Sequence, residues 1–166
     1  MRTVLSILLL VWTSQAVALD REACFTPGGQ CTGLIVRALE GSKETVLVQA
    51  YSFTSAPIAK ALTEAHKRGV DVRVILDKSQ KSERYSELTF LRNAGIPVWI
   101  DYKVAIAHNK VMVIDGEIVV TGSFNFTKAA QDKNAENVLI IRDRELAKEY
   151  ADNWQSRLNQ SVRYEQ

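Results

Sequence analysis

Histidine, cysteine and proline are scarce in this chain, and its charges nearly cancel. There are two histidines, two cysteines and three prolines in 166 residues, and 21 Lys and Arg stand against 19 Asp and Glu. A net charge of +2 excludes a protein that grips polyanions through its overall field, so any such binding must come from a local patch. No cluster of carboxylates and histidines offers a catalytic metal site, and two cysteines without a nearby histidine make a poor zinc site. Hydrophobic residues at 46% and charged residues at 24% exclude disorder, collagen-like repeats and coiled coils. A chain of this length buries a sufficient core as one domain without a metal or disulfide framework. Linkers, repeats and low-complexity segments are also lacking.

Long apolar runs are confined to the start of the chain. Arg2 precedes Val4–Val11, followed by Thr13, Ser14, Gln15 and the triplet Ala16-Val17-Ala18. This pattern predicts a secretory signal peptide, residues 1–18, cut after Ala18. The alternative is a retained anchor, although Thr3–Leu19 is slightly short for a span of about 20 residues. Cleavage leaves a single domain, residues 19–166, with net charge +1. The expected location is periplasmic or secreted, with no stable membrane association. Export changes the reading of Cys24 and Cys31. They flank a turn containing Pro27-Gly28-Gly29, and in an oxidising compartment this suggests a local disulfide rather than two unpaired thiols.

Beyond residue 31, strand and helix patterns alternate. Thr32 can cap a helix carrying Leu34, Ile35, Ala38 and Leu39 that ends at Gly41. A second helix is predicted from Ser55, with Pro57 in its first turn and a stop at Gly69. A third spans Ser82 to Gly95, and a long final helix opens at Asp143. Strands are predicted at Thr45–Ser52, Val70–Leu76, Val98–Asp101, Lys110–Ile114, Glu117–Thr121 and Val138–Ile141. The alternation predicts an α/β fold, a layered α-β-α sandwich with a mixed, largely parallel sheet. Asp115-Gly116 adds an antiparallel hairpin.

Chemistry collects on that hairpin. With a two-residue loop, Lys110 lies opposite Thr121 and His108 opposite Ser123, all on one face. Asn125 joins them if the chain stays extended. Val111, Val113, Ile118 and Val120 then form the apolar face. An ammonium, a hydroxyl and an amide suit a phosphate, and an imidazole can act as nucleophile or as general acid–base. The bland alternative is a polar sheet face open to water.

These residues carry a resemblance. His108, Lys110, Asp115, Gly122, Ser123 and Asn125 fit the pattern H-x-K-x4-D-x6-G-S-x-N without a gap, which is similar to the signature of the phospholipase D superfamily. Ala50–Thr54, Lys67–Val72, Gly122–Ala130 and Asn134–Asn137 resemble its small, secreted, EDTA-resistant endonucleases. The resemblance implies that His108 forms a phosphohistidine, that Lys110, Ser123 and Asn125 bind the phosphate, and that Glu136 orients the imidazole. Asp115 belongs to the signature as a catalytic candidate, yet an Asp in a hairpin turn is also fully explained by turn chemistry. Neither a cofactor nor a metal is expected.

Phosphodiester cleavage through a covalent intermediate needs a nucleophile and a proton for the leaving oxygen. The other histidine, His66, reads as a cation near a helix C-terminus. The second imidazole then comes most simply from a second copy of the chain, and the small superfamily members resemble homodimers with one site at the two-fold axis. Tyr51, Phe53, Phe124 and Phe126 are either base-stacking or core residues, and Lys128 and Lys133 either touch a nucleic-acid backbone or lie in a solvated loop. The leading expectation is a nuclease acting on DNA or RNA. The alternatives are a phospholipase D or cardiolipin hydrolase, and a polyanion-binding module without catalysis.

Overall fold

Residues 20–165 are described by the computed structural model, so the expected signal segment lies outside the described residues. The chain runs β1 (Asp20–Thr26), α1 (Cys31–Glu40), β2 (Thr45–Ala50), α2 (Ala56–Lys67), β3 (Asp71–Asp77), a 3-10 turn (Lys78–Lys81), α3 (Leu88–Asn93) and β4 (Val98–Asp101). It continues through β5 (Lys110–Ile114), β6 (Ile118–Gly122), α4 (Lys128–Asp132), β7 (Glu136–Arg142), α5 (Arg144–Leu158) and β8 (Val162–Arg163). No helix among the described residues is long and apolar enough to cross a membrane.

One eight-stranded sheet has the order β1-β7-β6-β5-β2-β3-β4-β8. It is mixed, as expected, but its balance is not. Only β2–β3 and β3–β4 pair in parallel, and the other five pairings are antiparallel. The expectation of a largely parallel sheet fails for a physical reason. Parallel neighbours need a crossover of a dozen or more residues, and of the long connections only those around α2 and α3 return the chain to the adjacent strand in the same direction. From β5 onward, a three-residue loop makes the β5–β6 hairpin, and the longer segments around α4 and α5 bring β7 and β8 back antiparallel to β6 and β4.

Helices cover both faces. Leu34, Ile35 and Leu39 of α1, Ile58 and Leu62 of α2 and Leu91 of α3 pack with Val46, Val48, Val74, Met112, Ile114 and Val120 into the main core. On the other face, Val111, Val113 and Val119 pack with Ala147 and Tyr150 of α5. Trp154 fixes α5 by donating its indole N–H to the Val48 carbonyl at 2.9 Å. Strands buried on both sides read as near-continuous apolar runs, which explains KVMVI in β5, where every residue is buried. The helix starts at Ser55 and Asp143 fall where the sequence places them. The third helix is much shorter than predicted, and β1, α4 and β8 carried no sequence prediction.

The β5–β6 hairpin departs from its expected register. Ile114 pairs with Ile118 and Met112 with Val120, so the connection is Asp115-Gly116-Glu117. Asp115 (φ 54°) and Gly116 (φ 62°) both take positive φ, as a type I′ turn requires. One residue of slip reverses the facing of β6. Ile118 and Val120 therefore join Met112 and Ile114 in the main core, while Val111 and Val113 face α5. Cys24 of edge strand β1 forms a disulfide with Cys31, which ties the strand to the start of α1.

Candidate active site

The functional residues meet at one edge of the sheet, where β5 begins and β6 ends. His108, Lys110, Gly122, Ser123, Asn125 and Glu136 line one open cavity. The register slip removes Thr121 from this group and replaces it with Gly122. Gly122 has φ 149°, and a Cβ there would lie 2.2 Å from the Asn137 carbonyl oxygen. Only glycine lets the chain turn this close to β7. That turn brings Ser123 and Asn125 beside His108 although the strands no longer pair.

His108 is exposed. Its ring stands 4.7 Å from that of Tyr51, tilted by 54°. Behind it, Asp77 is buried and accepts the Ala107 N–H at 2.7 Å and the Ser79 N–H at 2.9 Å. Burial pushes the Asp77 pKa up, but these hydrogen bonds and nearby Lys78 outweigh it, and the net shift is downward. An ionised carboxylate thus anchors the loop that delivers His108.

Lys110 is 7% exposed. Its ammonium donates to the His108 carbonyl at 2.7 Å and lies 5.1 Å from the centre of the Tyr51 ring. Burial lowers its pKa, and the charge of Glu136 partly opposes this. A cation held in place mainly by a carbonyl and an aromatic face is well matched to an incoming anion.

Glu136 starts β7. It accepts Ser123 Oγ at 2.6 Å and Asn134 Nδ2 at 3.0 Å, and it forms no hydrogen bond with its own His108. Ser123 Oγ in turn accepts the Asn137 N–H at 3.1 Å. Thr26 on β1 accepts the Glu136 N–H at 3.2 Å and donates to the Ala130 carbonyl at 2.8 Å. Asn125 Oδ1 is buried without a partner. Turned about its Cβ–Cγ bond, the same amide presents Nδ2 to a bound oxygen.

Asp115 does not belong to this group. It sits at the far end of β5, about 17 Å away by strand rise. Its carboxylate accepts the N–H groups of Lys43, Glu44 and Thr45, the last two at 2.8 and 2.9 Å. It fastens the hairpin tip to the entrance of β2, which corrects the catalytic assignment. His66 is also remote from the cavity, lying in the last turn of α2 against Gly95. Phe53, Phe124 and Phe126 are core, while Tyr51 supports the imidazole. Thr26, Asp77 and Asn134 were not predicted. Asn134 lies in the Asn134–Asn137 segment that carries the family resemblance, but nothing in the sequence links Thr26 or Asp77 to residues so distant along the chain. Among the described residues, no three His, Cys, Asp or Glu side chains gather as metal ligands.

Fold and site together define a hydrolase of phosphodiester bonds. The family described as cardiolipin synthase, PLD-like domain, matches residues 35–158, and the chain belongs to this phospholipase D-like family. It is 49% identical over 136 residues to a phospholipase D of Rickettsia felis, covering 82% of this chain and 68% of the relative. It is 35% identical over 123 residues to the mitochondrial cardiolipin hydrolase of Canis lupus familiaris, covering 74% of this chain and 48% of that protein. Among solved structures it is similar to Nuc from Salmonella typhimurium, a phospholipase D family member. That match has a TM-score of 0.85 and 38% identity, and it covers 90% of this chain and 100% of Nuc.

Proposed function

We propose that this protein is a metal-independent endonuclease that hydrolyses DNA, and RNA as a further substrate, through a phosphohistidine on His108. The observation that carries the reading is the convergence of His108, Lys110, Ser123, Asn125 and Glu136 on one cavity. The His108 imidazole attacks phosphorus, a P–N bond forms and a P–O bond breaks. The leaving oxygen takes a proton from a second imidazole. Water then attacks the phosphohistidine, the P–N bond breaks, and the proton returns to the second ring. Lys110 and the amide of Asn125 hold the phosphoryl oxygens as charge develops. Glu136 fixes Ser123 and balances the positive charge of the imidazolium.

The second imidazole is the partner subunit's His108 in a C2 homodimer. The remoteness of His66 supports this, since each chain then brings a single histidine to the site. The nucleic-acid reading is supported by the likeness to Nuc along the whole of that chain and by the cavity itself. Among the described residues its lining is polar or glycine, with no apolar side chain to receive an acyl tail. A lipid phosphodiester is the second reading, favoured by the relatives named phospholipase D and cardiolipin hydrolase.

The experiment uses the protein with plasmid DNA, RNA or anionic lipid vesicles, each in excess EDTA, beside His108→Ala. Plasmid cleavage persists in EDTA, and His108→Ala lowers it by at least about 10³-fold. Loss of cleavage on chelation overturns the metal-free mechanism. Hydrolysis of lipid alone replaces the nuclease reading with the second one. Binding with no hydrolysis of any substrate reduces the protein to a polyanion-binding module.

A further inference from the structure

We propose that the cavity on the α5 face of the sheet, behind His108, holds an unpaired guanine base of the nucleic-acid strand being cut. The proposal rests on the nuclease reading and names the base selectivity of that site. The cavity, of about 230 Å³, is lined by Gln49, Asn109, Val111, Glu149, Tyr150 and Asn153.

Gln49 is the residue that points to a ligand. It lies in β2 (TVLVQA), opposite Val111 of β5 and Ile75 of β3. Directly opposed residues share a face, so its amide is set between apolar side chains. Gln49 is 3% exposed, and its Nε2 is buried without a hydrogen-bond partner. An unpaired buried amide is costly, and a methionine would fill the same space without that cost. An acceptor brought by a ligand accounts for the glutamine. The rest of the lining selects that ligand. Among the described residues no cation lines the cavity, and the Glu149 carboxylate repels an anion, so a phosphate does not fit. Lys148, the next cation along α5, is paired with Asp152. Guanine fits: its N1–H and N2–H donate to a carboxylate, and its O6 accepts from a carboxamide. Val111 and Tyr150 offer apolar surface to the faces of the base, and Asn109 and Asn153 add amides that both donate and accept. In a duplex this edge of guanine is already paired, so the cavity takes the base only from a single strand.

The cavity shares a chain segment with the active site. Asn109 stands between His108 and Lys110, and consecutive Cα atoms lie about 3.8 Å apart. In extended chain, neighbouring side chains take opposite sides. His108 and Lys110 therefore turn to the phosphate cavity while Asn109 turns to this one. The Asn109 carbonyl accepts the Tyr51 N–H at 2.9 Å, which fixes the segment against the end of β2, beside Gln49. A phosphate on His108 and a base in this cavity then belong to the same nucleotide or to adjacent ones.

The test titrates the full His108→Ala chain, in EDTA, with short thymidine oligomers whose central base is thymine, guanine or hypoxanthine, by calorimetry. The guanine oligomer binds about tenfold more tightly than the all-thymine one. Hypoxanthine, which lacks the N2 amino group, loses most of that gain. Gln49→Met and Glu149→Gln each bring the guanine-to-thymine affinity ratio to within about twofold of unity. Reading the ratio cancels any general effect of the charge removed at Glu149. Circular dichroism shows whether Gln49→Met folds; if it does not, Glu149→Gln, at an exposed position, decides. Equal affinity for the three oligomers overturns the proposal and leaves the cavity to ordered water. A guanine gain that survives in the folded variants overturns it too, since the base is then held elsewhere. A gain that disappears in these variants, in a protein whose His108 form cuts neither DNA nor RNA, keeps the base site and overturns the nuclease reading instead.

Discussion

Lys110 is the residue whose energetics and chemistry pull in opposite directions. Burial lowers its pKa while Glu136 partly restores it, so the folded chain binds that proton less tightly than the unfolded chain does. Between the folded and unfolded values the unfolded state carries more protons, and stability rises with pH. Below that window the charge is a standing cost to the empty enzyme, recovered when a phosphate arrives. Lys110→Met removes the cost and the phosphate contact together. Its melting temperature near pH 7 equals or exceeds that of the parent, while kcat/KM on a small phosphodiester falls about 10²- to 10³-fold. Thermal melts and steady-state kinetics check both. A lower melting temperature with activity retained contradicts this account. At the same scale, His108, Lys110, Ser123 and Asn125 were legible because they sit at fixed spacings in one segment. Thr26 and Asp77 were not, because they are brought to the site by the fold.

The β5–β6 hairpin shows how an element can be read correctly and its register missed. Asp-Gly announces the turn, but whether Glu117 belongs to the loop or the ladder depends on what the neighbouring strands accept. Here Glu117 leaves the ladder and Asp115 uses its carboxylate on the Lys43–Thr45 backbone. Asp115→Ala therefore acts on stability. It costs about 2–3 kcal/mol for the lost charged hydrogen bonds and leaves kcat/KM within about twofold, as denaturant melts and kinetics will show. A collapse of kcat in a folded variant would return Asp115 to the chemistry. The unpredicted elements share a cause. The first five residues of β1 are largely exposed, and both residues of β8 are exposed, so neither shows the burial alternation that announces a strand. Helix α4 is only five residues long. The central strands were legible because burial on both faces left continuous apolar runs.

For the whole molecule, the sequence pattern predicts the α-β-α layering, while the parallel character of the sheet is confined to β2, β3 and β4, the strands joined by the α2 and α3 crossovers. The site then lies where the helix starts of α1 and α2, the end of β2 and the start of β5 share one edge, as in open α/β sheets generally. In the proposed mechanism, one histidine per chain at the site makes assembly part of the chemistry. Sedimentation of the active protein gives a dimer, and dilution to the monomer abolishes activity; a fully active monomer contradicts the shared site. The most direct measurement traps the intermediate. Protein mixed with a labelled oligonucleotide in EDTA is quenched under alkaline denaturing conditions and mapped by mass spectrometry. The account predicts an acid-labile phosphoryl adduct on the His108 peptide that is missing from His108→Ala. An unmodified His108 in a protein that is turning over substrate, or an adduct on another side chain, would contradict it.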